Sequence, residues 1–162
     1  MMRNKITVTI PGAPVAKGRP RFTRRGVVFT PKKTRNWESA ARQHAEIAMF
    51  GLEPLTGALS LRVEVAMPTP ASWPLWKRDA ASQGIIVPTS KPDLDNFIKS
   101  VKDALNGIVW IDDSQVVLST EEKRYGADAG VVVTATRLTD KLPSQIASKS
   151  EFDLLTMSAA TQ

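Results

Sequence analysis

The residues best suited to chemistry lie in one stretch, KPDLDNFIKSVKDALNGIVWIDDSQ, at positions 91–115. The candidates are Asp93 and Asp95 at the start of a predicted helix, Lys99 one turn further along, and the adjacent Asp112 and Asp113 beyond its end. Carboxylates that point together repel one another unless some stay protonated or a cation binds. A bound Mg²⁺ ion could activate water and stabilise the charge that develops on a phosphodiester oxygen, so the stretch favours a metal-dependent site.

Helix geometry decides which of these side chains could share an ion. Residues two apart lie about 200° from each other around a regular helix, so Asp93 and Asp95 can meet one ligand only if Asp93 lies outside the helix as an extended N-cap. Lys99 follows Asp95 by four residues, on the same face. Asp112 and Asp113 should point to opposite sides of an extended chain, so we expect only one of them to join the first two carboxylates.

Each residue also has an ordinary structural explanation. Asp93 alone is more often a helix cap than a ligand, the adjacent Asp112 and Asp113 alone are more often a turn, and Lys99 alone is usually a solvated helix residue. Their combination in a basic chain favours the metal site over these separate explanations.

Composition narrows the kind of ion and the kind of partner. The 162-residue chain has 22 Lys and Arg against 16 Asp and Glu, a net charge of +6, which favours a polyanionic partner. It has no cysteine and one histidine, His44, which excludes disulfides, thiolate zinc sites and multi-histidine sites. Any metal ion must therefore be held mainly by oxygen ligands, and these favour Mg²⁺, with Mn²⁺ as an alternative. His44 lies on a predicted amphipathic helix, where we expect a structural role.

Basic residues form a second candidate site, the basic arm (residues 17–35), which contains no acidic residue. Its cations are Lys17, Arg19, Arg21, Arg24, Arg25, Lys32, Lys33 and Arg35, with Phe22 and Phe29 between them. A solvated loop that only aids solubility is the alternative, but we predict phosphate contacts because the candidate metal site needs a phosphate backbone beside it. Trp73 and Trp76 could stack on unpaired bases, although packing of a loop onto the core is the expected role.

The elements that would position these residues follow from periodicity. Alternation predicts strands at 5–10 and 58–67, a small hairpin around Arg25-Gly26, and two strands at 115–125 and 131–137 that form an antiparallel hairpin. Helical spacing predicts one helix capped at Thr34 or Asn36, a short one begun by Ser72, and one from residue 94 to 105. The order indicates an α+β fold in which two helices cover one face of a mixed four-stranded sheet.

The distribution of apolar and polar residues also predicts the location of the protein and the extent of its domain. No apolar run is long enough for a signal peptide or a membrane span, so we expect a soluble, cytoplasmic protein that does not associate with membranes. Residues 1–137 are interpreted as one domain. Residues 138–162 are rich in Ser, Thr, Ala, Lys and Gln, and we interpret them as a polar tail that is disordered or docks on a partner.

The acidic block resembles the RusA family of Holliday-junction resolvases. The resemblance rests on the segments KPDLDNFIK, DALNG and WIDDSQVV, and extends to GRPRF, TPKKTRNWE and the strand before Pro68, so that it covers essentially residues 6–137. The connection at 69–90 is longer than in the smallest members, and the tail has no counterpart in the family pattern.

The resemblance implies a Mg²⁺-dependent, homodimeric endodeoxyribonuclease that resolves four-way junctions in recombination and repair, of a kind common in bacterial and phage genomes. It implies Asp93, Asp95 and Asp113 as metal ligands and Lys99 as the catalytic lysine, with Asp112 and Asn96 in supporting positions around them. A dimer suits the two-fold symmetry of a four-way junction, which needs two symmetric nicks. The alternatives are a basic DNA-binding protein without catalysis and a metal nuclease for flaps or forks.

Overall fold

A computed structural model describes residues 3–138 of the chain. Six strands are found among these residues: β1 (Lys5–Pro11), β2 (Arg21–Phe22), β3 (Val28–Phe29), β4 (Leu59–Pro68), β5 (Val116–Gly126) and β6 (Gly130–Arg137). The helices are α1 (Lys32–Ala48), α2 (Leu75–Ser82) and α3 (Leu94–Leu105), and a single 3₁₀ turn covers Asp113–Gln115. Apart from Leu138, the predicted tail lies outside the described residues, so its role stays a prediction.

The four long strands form one mixed sheet in the order β1-β6-β4-β5, and β2 and β3 form the small predicted hairpin. Alternation places Val8, Val63 and Val133 on the same face as the rest of the core. Helices α1 and α3 cover that face, contributing buried side chains such as Trp37 and Phe97. The predicted α+β fold with two helices on one face of a mixed sheet is therefore confirmed.

The predicted hairpin between the last two strands is wrong. β5 pairs with β4 in parallel, whereas β6 lies between β1 and β4 and is antiparallel to both. The link between β5 and β6 therefore passes the end of β4 instead of closing a hairpin. A Cβ at Gly130 would lie 2.9 Å from the Ile10 carbonyl oxygen, so the first residue of β6 abuts β1. Alternation identified each strand, but it carries no information on which strand is its neighbour.

Two predicted helix starts are also wrong. α1 begins at Lys32 after Pro31, and α2 begins at Leu75 after Pro74, so neither Thr34, Asn36 nor Ser72 is the cap. Each of these prolines is the N-cap of its helix, with ψ of 142° and 156°, and its fixed φ suits the residue that leads into a helix, which explains both shifts. Thr34 is buried instead, and its hydroxyl oxygen accepts a hydrogen bond from the Gly18 N–H at 3.2 Å. In the part of the chain that is described, no helix is long and apolar enough to cross a membrane.

Candidate metal centre and DNA-binding surface

The first two carboxylates lie where the sequence predicts them, at the α3 entrance (residues 90–96). Asp93 is the N-cap of α3 with extended backbone angles (φ −69°, ψ 148°), and Asp95 lies in the first turn. The helix dipole stabilises both anions there. The Lys99 ammonium donates to Asp95 Oδ2 at 3.1 Å, in an exposed pair that contributes little to stability. Among residues 3–138, no hydrogen bond or salt bridge engages the Asp93 carboxylate, which leaves it available to a ligand.

Two contacts that the sequence did not indicate hold this entrance in place. The Lys123 ammonium, on β5, donates to the carbonyl oxygens of Ser90 and Pro92 at 2.9 Å each. The Lys17 N–H donates to the Asn96 carbonyl oxygen at 2.8 Å, which joins the beginning of the basic arm to the first turn of α3. Asn96 thus contributes to holding the α3 entrance through its backbone carbonyl group. No sequence pattern could have shown Lys123, because it acts on residues about 30 positions earlier.

The two carboxylates of the second acidic step (Asp112 and Asp113) have different hydrogen-bonding environments. Asp112 is the N-cap of the 3₁₀ turn, and its Oδ1 accepts from the Ser114 N–H at 2.8 Å. Hydrogen bonding to the Ser114 side chain, then to its backbone, lowers the pKa of Asp112 below its ordinary value. The carboxylate of Asp113 makes no such bond within the described residues. Of the two carboxylates, that of Asp113 is therefore the one more available to a ligand.

Gln115 anchors this step to the rest of the protein. Its Oε1 accepts from the N–H groups of Ile111 and Asp112, both at 2.9 Å. Its Nε2 donates to the carbonyl oxygens of Leu55 and Gly57 at 3.1 and 3.0 Å. Gln115 thus satisfies four backbone groups and fixes where Asp113 lies relative to the start of β4. The sequence pattern contains this glutamine but gives it no role.

The structure does not bring Asp113 to the other two carboxylates within one chain. Asp93 lies beside Lys123, whereas Asp113 lies just before Val116, at the other end of β5. Lys123 lies seven positions along the strand from Val116, a distance of about 23 Å at about 3.3 Å per residue. Accordingly, among residues 3–138 no group of three or more His, Asp or Glu side chains could hold a metal ion. A single chain therefore does not fit the expected three-carboxylate ion site.

The basic arm presents most of its cations to solvent. Seven of them are exposed, and none of the seven is in a salt bridge among the described residues: Arg19, Arg21, Arg24, Arg25, Lys32, Lys33 and Arg35. A groove of ≈ 650 Å³ is lined by Arg19, Arg21 and Lys33 and reaches Pro92, the residue before Asp93. The arm and the α3 entrance therefore share one surface.

Lys17 differs from the other cations of the arm. Its ammonium lies 2.7 Å from Glu38 Oε1 and 2.6 Å from Asp103 Oδ2, and its side chain is only 27% exposed. Burial lowers the pKa of Lys17, but the hydrogen bonds to Asp103 and Glu38 outweigh burial and raise it overall. Because Glu38 belongs to α1 and Asp103 to α3, this side chain joins the two main helices.

The remaining aromatic and histidine candidates differ in how far their side chains are buried. Trp73 packs edge-on against Tyr125 with ring centroids 5.3 Å apart, and the Lys77 ammonium lies 4.0 Å from its ring, as expected for a packed loop. Trp76 is 68% exposed, so the expectation that it packs on the core is wrong. His44 is half-buried on α1.

Comparison with known proteins gives two matches. A family model described as endodeoxyribonuclease RusA matches residues 11–136. A protein of Bacillus subtilis (strain 168), named uncharacterized protein YqaN, is 39% identical over 137 residues, which are 79% of this chain and 93% of that protein. The span matched by the family model contains every strand and helix from β2 to β5, together with both acidic steps and the basic arm.

Proposed function

This chain belongs to the RusA family of endodeoxyribonucleases, and we propose that it resolves four-way (Holliday) junctions by hydrolysing one phosphodiester bond in each of two strands. The observation that carries the proposal is the groove in which Arg19, Arg21 and Lys33 lie close to the α3 entrance. A DNA backbone gripped by these cations would pass beside Asp93. The role that follows is in DNA recombination and repair.

We assign the reaction to residues 1–137 as one nuclease domain. Asp93, Asp95 and Asp113 are the proposed cation ligands, and Lys99 is the proposed catalytic lysine. Lys99 is exposed on the same helix face as Asp95. Its ammonium can therefore approach a phosphate oxygen once DNA covers the Lys99–Asp95 ion pair. Asp112 and Asn96 are proposed to position these residues. Asp112 caps the turn that carries Asp113, and the Asn96 carbonyl oxygen accepts a hydrogen bond from the basic arm.

The proposed cofactor is a divalent cation, Mg²⁺ or in its place Mn²⁺, because every candidate ligand atom is a carboxylate oxygen. RusA family nucleases generally depend on a divalent metal, which supports the choice. The three carboxylates do not converge among the described residues of one chain, so a single chain cannot surround the ion with all three.

The DNA contacts are proposed to come from the exposed cations of the arm. Their guanidinium groups suit bidentate contacts with phosphate, and Arg24 and Arg25 lie at the turn between β2 and β3, at the tip of that hairpin. Lys17 is held by Glu38 and Asp103, so its proposed contribution is to position the arm from within. The proposed partner is branched DNA, bound by a homodimer.

A nicking assay on a synthetic four-way junction tests the proposal. We expect paired nicks with Mg²⁺ and none after chelation. Asp93→Asn should abolish nicking while binding is kept or strengthened, because it removes a negative charge close to the phosphate backbone. Full activity of this variant would contradict the assignment.

Two other outcomes would identify the alternative functions. A protein that shifts the junction in a gel but never cuts it, with any divalent ion, is a DNA-binding protein without catalysis. A protein that cuts flaps or forks at least as fast as four-way junctions is a nuclease for other branched DNA. A panel of substrates with shared arm sequences separates these outcomes.

A further inference from the structure

We propose that the hairpin of the basic arm (the arm hairpin, residues 21–29) is a wedge that places the ring of Phe22 against an unstacked nucleobase at the branch point of the DNA. The inference rests on the proposed function and specifies how the protein distinguishes branched DNA from a plain duplex. The ligand is the flat face of a nucleobase, which an intact duplex keeps covered by the neighbouring base pairs.

The arm hairpin is an ordered projection whose two ends are held together. A Cβ at Gly18 would lie 2.8 Å from Pro31 Cγ, so the chain enters and leaves the hairpin side by side. The Gly18 N–H also donates to the Thr34 hydroxyl oxygen at 3.2 Å, which joins this point to α1. At the tip, the Thr23 N–H donates to the Val27 carbonyl oxygen at 2.9 Å and closes the turn. The segment between the two points therefore has a defined shape.

The two faces of the arm hairpin differ in chemistry. Residues that are directly opposite in an antiparallel pair place their side chains on the same face. Arg21 is opposite Phe29, and Arg21 lines the groove that reaches Pro92, so this face holds a cation for the phosphate backbone. Phe22 is opposite Val28, and these two side chains share the other face. The hairpin thus separates a phosphate-binding face from an apolar face.

The apolar face is open to solvent. Phe22 is 73% exposed and Val28 is 56% exposed, and Val27 at the turn is 59% exposed. A single exposed apolar side chain is ordinary, but three of them on one short hairpin form the kind of patch that marks a binding surface. The largest of the three, Phe22, is the one with a ring that can stack.

The charge of the arm identifies the occupant of this face. Seven exposed cations surround the apolar side chains, and no acidic residue lies between positions 17 and 35. The same charge would oppose a second copy of the arm on this face. Single-stranded nucleic acid suits both features, because cations bind its phosphates and aromatic rings stack on its bases. The grooves of a duplex expose only base edges, so a stacking face is available where the helix is interrupted.

The position of the arm hairpin suits a branch point close to the cleaved bond. The Lys17 N–H lies 2.8 Å from the Asn96 carbonyl oxygen in the first turn of α3. Phe22 follows Lys17 by five residues, which span at most about 18 Å at about 3.6 Å per residue. A base held by Phe22 would therefore lie within about five base pairs of the α3 entrance, at about 3.4 Å per base pair.

DNA binding measured without a metal ion tests the wedge independently of cleavage. Wild type and Phe22→Ala are titrated, with a chelator present, onto a labelled four-way junction and onto a duplex of the same arm sequence. We expect Phe22→Ala to weaken junction binding by about tenfold, as expected for one lost base–aromatic stack, and to leave duplex binding unchanged. Phe22→Tyr should keep the wild-type preference, whereas Phe22→Leu, which keeps an apolar side chain without a ring, should lose most of it.

Phe50→Ala is the matched control. Phe50 is 90% exposed and lies outside the arm, two residues after the end of α1, so its replacement should change neither affinity. Equal losses on junction and duplex in Phe22→Ala, or no loss on either, would overturn the wedge. A smaller assembly in sedimentation with an unchanged preference for the junction would assign the apolar face to a second copy, and it would overturn the wedge as well.

Photochemical cross-linking locates the bound base. Phe22 is replaced by the photoreactive analogue benzoylphenylalanine, and the complex with the junction is irradiated with a chelator present. We expect cross-links to the nucleotides next to the branch point, and none when the analogue replaces Phe50 instead. Cross-links spread along the junction arms would contradict stacking at the branch point.

Failure of the wedge can be distinguished from failure of the proposed function. If the wild type nicks junctions with Mg²⁺ while Phe22→Ala binds both DNAs as the wild type does, only the wedge is wrong. If the wild type prefers the junction through Phe22 but never cuts it with any divalent ion, the wedge stands and the catalytic proposal fails. A wild type that neither prefers the junction nor nicks it would end both proposals.

Discussion

The ammonium of Lys123 lies 2.9 Å from the carbonyl oxygen of Pro92, and Pro92 is bonded directly to Asp93. The same ammonium donates at 2.9 Å to the carbonyl oxygen of Ser90. A strand residue at the sheet edge thus determines where the chain enters α3 and, with it, where the Asp93 carboxylate lies. The position of a candidate ligand depends on a residue about 30 positions later.

Lys123→Met should disturb this entrance while keeping most of the side-chain volume. Two carbonyl oxygens would lose a charged donor, and such bonds contribute about 1–3 kcal/mol each where they are shielded from water. Because this site is partly solvated, we expect a loss of about 1–2 kcal/mol in the free energy of unfolding. Nicking should fall by about tenfold or more, since a misplaced catalytic group is costly. Urea unfolding and the junction assay measure the two effects.

The matched control is Lys5→Met, which removes a lysine from an exposed position of β1 that no described salt bridge engages. It makes the same change in charge and should leave both stability and nicking near wild-type values. If Lys123→Met nicks at the wild-type rate after unfolding data confirm its destabilisation, the entrance does not need this anchor.

Gln115 should be the least replaceable residue of the second acidic step. Gln115→Leu removes all four of its hydrogen bonds to backbone groups, which we expect to cost about 2–4 kcal/mol in the free energy of unfolding. Gln115→Glu keeps the acceptor side but loses the donor to Leu55 and Gly57, so its loss should be intermediate. Equal stability of the two variants, measured by thermal and urea unfolding, would show that the donor side alone determines the effect.

Asp112 and Asp113 should respond differently to the same substitution. Asp112→Asn keeps an oxygen that can accept from the Ser114 N–H, so the turn and the nicking activity should both survive. Asp112→Ala removes the cap, and we expect lower stability with reduced nicking. Asp113→Asn should leave the melting temperature unchanged and abolish nicking. Nicking by Asp113→Asn at the wild-type rate would remove this residue from the proposed ligand set.

The sequence was a good guide to local structure, including the helix entrance at which Asp93 and Asp95 lie. The stripe of Phe97, Ile98 and Val101 predicted α3, and Asp93 is the extended N-cap that a ligand shared with Asp95 would require. The arm was found from charge alone, because a run without acidic residues stands out in any composition. These features depend on neighbours within about a turn of helix or strand, which periodicity and capping preferences describe well.

The features missed by the sequence depend on contacts between distant segments. The position of β6 between β1 and β4, and the anchoring of the α3 entrance by Lys123, join residues far apart in the chain. One of Asp112 and Asp113 was expected to join Asp93 and Asp95, and the resemblance pointed to Asp113, but α3 holds Asp93 and the second pair apart at its two ends. A pattern of residues gives spacing along the chain, whereas convergence of side chains depends on topology and on which chains assemble.

The basic arm should determine how DNA binding depends on salt. Replacing Arg19 and Arg21 together with Ala should lower the slope of log K against log salt by about 0.9 for each lost phosphate contact, hence by about 1.8 for two. Arg62→Ala is the control. Its guanidinium lies 2.7 Å from Glu64 Oε1, and Arg62 does not line the groove. Fluorescence anisotropy with a labelled junction measures the slope, and an unchanged slope in the double variant would count against the arm.

Lys17 should stabilise the protein in a manner that depends on pH. Its pKa is raised above the ordinary value of 10.5, so the folded state holds this proton more tightly than the unfolded state does. The stabilisation is therefore fully present below pH 10.5 and is lost as the pH rises through the folded pKa. Lys17→Met should cost about 1–2 kcal/mol in the free energy of unfolding at neutral pH, because α1 and α3 lose their shared ion pair.

The difference in unfolding free energy between wild type and Lys17→Met should be constant from pH 7 to about 9.5 and should shrink above 10.5. Lys33→Met, in the exposed part of the arm, provides the comparison, because it removes the same charge without breaking a pair and should show neither the cost nor the pH dependence. Urea unfolding at a series of pH values measures all three proteins. A difference that grows with pH would contradict the sign of the raised pKa and, with it, the assignment of Lys17 to the junction of the two helices.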